Sequence, residues 1–161
     1  RGRSTASRKA PVEAPGADEL AKKQRDISVS EFFAKNRHLL GFDNPSKALL
    51  TTVKEGVDNS LDACEEAGIV PDIHVEIVQV DETRFRIAIE DNGPGIPPER
   101  FETVFEPYHT TKEKGTGLGL AIVKHNTELY GGTVKIESEL GKYTRFNLIF
   151  PGRTALRLQT S

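Results

Sequence analysis

The longest uninterrupted pattern in the chain lies between Asn44 and Gly68. Leu49, Val53, Val57, Leu61 and Cys64 recur there at intervals of four, four, four and three, which lines them up as one stripe of an α-helix. Asn44-Pro45 reads as an N-cap followed by the first helical residue, and Gly68 as the left-handed residue that stops the helix. The spacing therefore predicts a helix from Pro45 to about Ala67, with Cys64 in the core. Such a stripe has to be covered. Downstream, Pro71 breaks the chain, and His74 to Val80 and Arg84 to Glu90 alternate apolar and polar residues around Asp81-Glu82-Thr83, which predicts a β-hairpin.

A Gly/Pro segment follows, Asp91-Asn92-Gly93-Pro94-Gly95-Ile96-Pro97-Pro98, and then a stretch from Phe101 to Thr116 without a clear period. A long irregular connection inside a folded domain reads as a lid or as disorder. A second helix is predicted from around Gly117–Leu120 to just before Gly131-Gly132, and two strands, Thr133 to Ser138 and Thr144 to Phe150, close the pattern. The order helix, strand, strand, lid, helix, strand, strand predicts an α+β two-layer sandwich: a mixed, mostly antiparallel sheet with its helices on one face. The strand–helix–strand alternation of a doubly wound fold is missing.

Composition narrows the function classes. With 22 Lys+Arg against 24 Asp+Glu and a pI near 6.1, the 161 residues argue against a whole-domain electrostatic grip on nucleic acid and leave room only for a local basic patch. One Cys cannot form an internal disulfide, which excludes Cys-rich zinc modules and suits a reducing, cytoplasmic setting. No apolar run approaches the roughly 18 residues of a membrane span, and no secretory signal is evident, so no membrane partner is expected. Residues 1–26 carry a net +3 with hardly any large apolar side chain and are expected to be a flexible basic arm, disordered to about Asp18. Order is expected from Ile27, where Ser28 or Ser30 can cap a short helix carrying Phe32 and Phe33. The domain organisation is thus an arm at 1–26, a folded domain at 27–151 and a tail at 152–161.

Three clusters carry chemistry. Glu55, Asn59 and Asp62 stand at i, i+4 and i+7 of the long helix and share one polar face, which reads as a site or as an ordinary solvated face. Asp91 follows directly on a strand, where the glycines at 93 and 95 free the backbone to approach a ligand. Its carboxylate can accept from an exocyclic amine, and a plain Asn-Gly turn is the other reading. Gly115-Thr116-Gly117-Leu118-Gly119-Leu120 opens the second helix, where unpaired amides and the helix dipole favour an anion. No strand precedes that run and no Gly-Lys-Ser/Thr ending closes it, so neither a dinucleotide fingerprint nor a P-loop fits. Lys112 and Lys114 just before it are candidates to neutralise phosphates, or solvated lid charges.

Taken together, Glu55-Gly56-Val57-Asp58-Asn59, Asp91-Asn92-Gly93-Pro94-Gly95 and Gly115-Thr116-Gly117-Leu118-Gly119 resemble the three boxes of the Bergerat-fold ATPases. That superfamily holds gyrase B-type topoisomerases, heat-shock protein 90, sensor histidine kinases and MutL mismatch-repair proteins. The two halves of the chain resemble different branches of it. Residues 27–99 are similar to the B-type subunit of topoisomerase VI, the type IIB topoisomerase, through Ile27-Ser28-Val29-Ser30-Glu31-Phe32-Phe33, Asn36 to Asp43 and Val57 to Cys64. Residues 104–151 resemble a histidine kinase catalytic domain, through Val104 to Tyr108, Thr110 to Lys114, the glycine run, Gly131-Gly132-Thr133 and Gly141-Lys142-Tyr143-Thr144. The topoisomerase subunit has a different lid and glutamines in its glycine box.

The resemblance implies ATP as ligand and magnesium as cofactor. Glu55 would be the general base against the γ-phosphate, Asn59 the magnesium ligand, Asp91 the reader of the adenine amino group and Thr144 a water-mediated helper. Gly93 and Gly95 would let the backbone approach the base, with Asp62 and Ile96 bordering the same site. The amides from Gly115 and Thr116 through Gly117, Leu118, Gly119 and Leu120 would hold phosphates beside Lys112 and Lys114. Residues 101–116 would form the ATP lid, anchored by Phe101, Phe105 and Tyr108, although core packing is the stronger reading of the two Phe residues. Residues 27–43 would be a strap reaching the partner of a homodimer formed on ATP binding. A topoisomerase A-type subunit is the implied partner, with DNA engaged only indirectly. No transducer-type Lys for the γ-phosphate is present, so slow turnover is expected. Glu55 favours hydrolysis, because histidine kinases typically carry an amide or another residue there. The alternatives are a kinase half that passes phosphate to a His on another domain or chain, and a module that only binds ATP and dimerises.

Overall fold

The computed structural model describes residues 16–38, 44–107 and 117–152, without the side chains of Lys22 and residues 25–30. The chain divides into two units between Lys35 and Asn36. The first contributes α1, Ala17–Lys35, with Asp18 and Glu19 in its first turn and Lys35 in its last, the charge order that suits the helix dipole. This helix starts upstream of the expected Ser28 or Ser30 cap. Composition argues against order before Ile27 because nothing there can fill a core, but Ala17, Glu19, Leu20, Ala21, Lys23 and Gln24 are good helix formers, and here propensity decides. Residues 1–15 of the expected 1–26 arm, residues 39–43 of the strap, residues 108–116 of the lid and the tail beyond Gly152 lie outside the described residues.

In the second unit α2 spans Pro45–Glu66, and its start is the predicted one: the Asn44 side chain accepts from the backbone N–H of Ser46 and Lys47. It stops at Ala67, with Gly68 at φ 66°. The strands are β1 (Ile73–Asp81), β2 (Arg84–Asp91), β3 (Thr133–Glu139) and β4 (Tyr143–Pro151), and α3 (Gly119–Leu129) precedes β3. They form one sheet in the order β1-β2-β4-β3 with every neighbour antiparallel. This is the α+β sandwich expected from the sequence. The inner face carries Phe85, Ile87 and Ile89 of β2 and Phe146, Leu148 and Phe150 of β4, all buried, and α2 and α3 pack over it. Phe85 and Phe150 stack at 5.2 Å between ring centroids. The outer face is charged, with Arg145 bridging Glu90 and Glu137 and Arg86 reaching Glu76.

The buried face of α2 follows the predicted stripe only in part: Leu49 and Cys64 are buried and Val53 and Val57 pack against the core, but Leu61 stays exposed. Ala48, Leu49, Thr52, Gly56, Ser60 and Cys64 are buried, whereas Leu61 is 41% exposed and Leu50 72%. Apart from Leu49 the buried row is small, so that the helix axis can come close to the sheet. A Cβ on Gly56 would stand 2.5 Å from Ile89 Cδ1. A periodicity search for large apolar residues cannot see a row of Ala, Thr, Gly, Ser and Cys. Cys64 is core, as expected. One short 3-10 turn, Pro98–Arg100, precedes the lid and a second, Thr103–Phe105, replaces its unpatterned start, and Phe105 meets Phe146 edge-on at 6.0 Å, which is core packing.

Candidate functional site

Glu55, Asn59 and Asp62 project from α2 and are all half-buried. Glu55 lies against the start of α3: its Oε2 is 3.1 Å from where a Cβ on Gly119 would be, so glycine there leaves room for the carboxylate. Leu118 occupies the N-cap position of α3, which makes no side-chain cap hydrogen bond, and the helix opens from Gly117 at φ 68°. Leu118 itself is buried. Burial raises the Glu55 carboxyl above its ordinary 4.5; Lys54 opposes the shift, and the charges of Asp58 and Asp62 add to it. A half-buried carboxylate thus faces the end of a helix whose dipole favours anions.

Near the C-terminal end of α2 lies the strand-end carboxylate. Asp91 closes β2, is only 3% exposed and accepts from the Gly93 N–H at 2.9 Å. Asn92 ties this turn to the chain after α2. Its Oδ1 accepts from the Asp72 N–H at 2.8 Å, its Nδ2 donates to the Val70 carbonyl at 3.0 Å, and Cys64 Sγ lies 3.5 Å from its Oδ1. Gly93 sits over the C-terminal half of α2, where a Cβ would come within 3.6 Å of Cys64 Sγ. Burial and the nearby Asp91 both push the Cys64 thiol up.

Beyond Gly93 the loop runs backbone to backbone along the β3–β4 turn. Gly95 has φ 79°, and a Cβ on it would be 2.5 Å from the Glu139 carbonyl. The Pro94 carbonyl accepts from the Gly141 N–H at 2.7 Å, and the Ile96 N–H donates to Ser138 Oγ at 2.8 Å. Thr144, buried, stands directly across the sheet from Asp91.

Two groups of the predicted residues therefore come together: Glu55 with Gly119, and Asp91 with Gly93 and Thr144. Gly95 and Ile96 are held beside the second group, and Asn59 and Asp62 share the face of Glu55. Lys112, Lys114, Gly115 and Thr116 lie outside the described residues. Sequence reasoning missed Asn92 and Ser138 as the side chains that fix the Gly-Pro-Gly loop. Ser138 had a signal: on a strand whose inward positions are Val134, Ile136 and Ser138, the last is the one that breaks the apolar series. Among the described residues no helix is long and apolar enough to cross a membrane, and no cluster of three His, Cys, Asp or Glu side chains is placed to hold a metal ion.

A family profile described as histidine kinase-, DNA gyrase B- and HSP90-like ATPase matches residues 44–154. Among curated proteins, the chain is 62% identical over 114 residues to the B-type subunit of type 2 DNA topoisomerase 6 from Archaeoglobus fulgidus and 50% identical over 122 residues to its counterpart from Methanosarcina acetivorans. Those matches cover 65% and 70% of this chain, and 19% and 20% of the relatives, so the chain spans about a fifth of their length. Among solved structures it is similar to the mycobacterial sensor histidine kinase MprB, with a TM-score of 0.59 at 28% identity over 66% of this chain and 73% of that one. It is also similar to full-length ShkA solved in complex with AMPPNP, with a TM-score of 0.58 at 29% identity over 65% of this chain and 21% of that one.

Proposed function

The chain belongs to the histidine kinase-, DNA gyrase B- and HSP90-like ATPase family, and from that premise we propose that it binds ATP with magnesium, hydrolyses it and dimerises in the ATP-bound state, as the ATPase part of a topoisomerase VI B-type subunit. The observation that carries this reading is the placement of Glu55 against the first residue of α3, with Asp91 and Thr144 side by side at the end of the sheet. One end suits a phosphate chain and the other an amine-bearing base.

In this reading Asp91 accepts from the adenine amino group, with Thr144 helping through a water, while Gly93, Gly95 and Ile96 line the base. The phosphates lie at the amides from Gly115 to Leu120, with Lys112 and Lys114 neutralising charge. Glu55 takes a proton from a water whose oxygen attacks the γ-phosphorus, and the bond to the β-phosphate oxygen breaks. Glu55 works as a base only when ionised, and burial raises its pKa, so hydrolysis rises with pH through that raised value. Magnesium typically keeps several waters and takes one or two protein oxygens together with substrate phosphates, so the Asn59 amide oxygen on the Glu55 face is a fitting donor. Its chemistry would be neutralisation of phosphate charge; positioning falls to the protein.

The A-type subunit and, through it, DNA are the proposed partners, in a cytoplasmic setting. Phosphate transfer to a His of another domain or chain is the second reading, favoured by the likeness to histidine kinase structures. Incubation with γ-labelled ATP separates the two. Hydrolysis releases inorganic phosphate and leaves the protein unlabelled, whereas transfer to an added phosphoacceptor domain leaves an acid-labile phosphohistidine. Saturable binding with neither product would favour the binding-only switch.

A further inference from the structure

Asp91, Thr144 and Ser138 form one polar row across β2, β4 and β3, since Asp91 pairs with Thr144 and Thr144 with Ser138. Ser138 is the hub. Its Oγ accepts from the Ile96 N–H at 2.8 Å, lies 2.8 Å from the Tyr143 carbonyl oxygen and 3.0 Å from Thr144 Oγ1. A hydroxyl has one proton to give. The Tyr143 carbonyl can only accept, so the Ser138 proton points to it, and the contact with Thr144 is then made by the Thr144 proton. Thr144 has no proton left for anything else. Its free lone pairs, beside the acceptor-only carboxylate of Asp91, leave acceptors as the only groups these two side chains offer.

Resting on the nucleotide reading above, we propose that Ser138 is a specificity-determining positioning residue: by consuming the Thr144 proton it keeps the base end of the site acceptor-only, selecting a 6-amino purine over a 6-oxo purine. An amino group at that position supplies donors to both acceptors or to a water between them. An oxo group meets two acceptors and leaves them unpaired, which is costly in a site where Asp91 is 3% and Thr144 4% exposed.

Calorimetric titration with magnesium ADP and magnesium IDP tests this, because the two bases differ in the 6-substituent and the accompanying N1 hydrogen. Wild type should prefer ADP. Ser138→Ala frees the Thr144 proton and should narrow the preference by about tenfold, the worth of one hydrogen bond. Ser138→Thr, which retains the hydroxyl, should keep it. Thr144→Val should weaken ADP more than IDP, and in that background Ser138→Ala should leave the ratio of the two affinities unchanged, because the two residues set the preference through one proton. Equal weakening of both nucleotides by Ser138→Ala would mean a merely structural role and overturn the proposal. So would a change in the ADP-to-IDP ratio caused by Ser138→Ala that persists in Thr144→Val. Should Ser138→Ala not fold, equal loss of ADP and IDP in Thr144→Val overturns it. Binding of ADP that depends on Asp91 but shows no Ser138-dependent preference sinks this proposal alone; wild type that binds neither nucleotide sinks it together with the site reading.

Discussion

As the proposed base, Glu55 has to be ionised where burial disfavours charge. Glu55→Ala should keep nucleotide affinity and lower phosphate release by about 100-fold or more, the usual contribution of a general base. The raised pKa carries a stability consequence of definite sign. The folded protein holds this proton more tightly than the unfolded chain, so the stabilisation is present below the unfolded value and is lost as pH rises through the folded one. Glu55→Gln should therefore melt higher than wild type at neutral pH, with the gap shrinking as pH falls toward the ordinary value of 4.5, in thermal scans across that range. Asp91 has the opposite task, to stay an acceptor. Asp91→Asn puts a donor in reach of an amino group and should weaken ADP binding by roughly 1.5–3 kcal/mol, the range for a hydrogen bond to a charged group, as read by calorimetry.

Among the elements, the Gly93–Ile96 loop is held closely, by the Pro94 carbonyl on the Gly141 N–H and the Ile96 N–H on Ser138. Gly95→Ala combines a left-handed backbone, which costs about 1–2 kcal/mol for a residue with a Cβ, with a clash against the Glu139 carbonyl. A loss of at least that size is expected in urea unfolding, together with weakened nucleotide binding. The β1–β2 turn depends on Asp81, whose carboxylate takes the Arg84 guanidinium and the Thr83 N–H and hydroxyl, and is thereby held down at about 2. A depressed pKa stabilises above the unfolded value of 3.8 and ceases to do so as pH falls toward 2, so Asp81→Asn should melt below wild type at neutral pH and converge with it in acid. Elements of this kind are readable in the sequence where punctuation is strong: Asn44-Pro45, Gly68, the alternation about Asp81-Glu82-Thr83 and Gly131-Gly132 delimit elements within a residue or two. The buried row of α2 is not readable, because close approach selects small residues and leaves Leu50 and Leu61 outside. The start of α1 escapes because helix propensity acts without any core to announce it. At the site, the three boxes are legible as residue types, but Ser138 and Asn92 act through the loop they hold, and only the register of the sheet brings Ser138 beside Thr144.

For the whole molecule, the net +3 of residues 1–26 leaves −5 on the remainder, so the folded unit offers no general attraction for DNA, consistent with the proposed indirect engagement through an A-type subunit. What the fold supplies is a path between two places: α2 carries Glu55 at the start of α3 and, farther along the same helix, rests Cys64 on the Asp91 turn, so the proposed base and phosphate ends share one helix. Occupying both ends at once is what would let ATP, and not its parts, set the state of the dimer. Steady-state release of phosphate from magnesium ATP, measured over a range of protein concentrations beside Glu55→Ala, tests that most directly. The account predicts a Glu55-dependent rate that rises more steeply than linearly with protein concentration; a rate unchanged in Glu55→Ala, or no turnover despite saturable ATP binding, would contradict it.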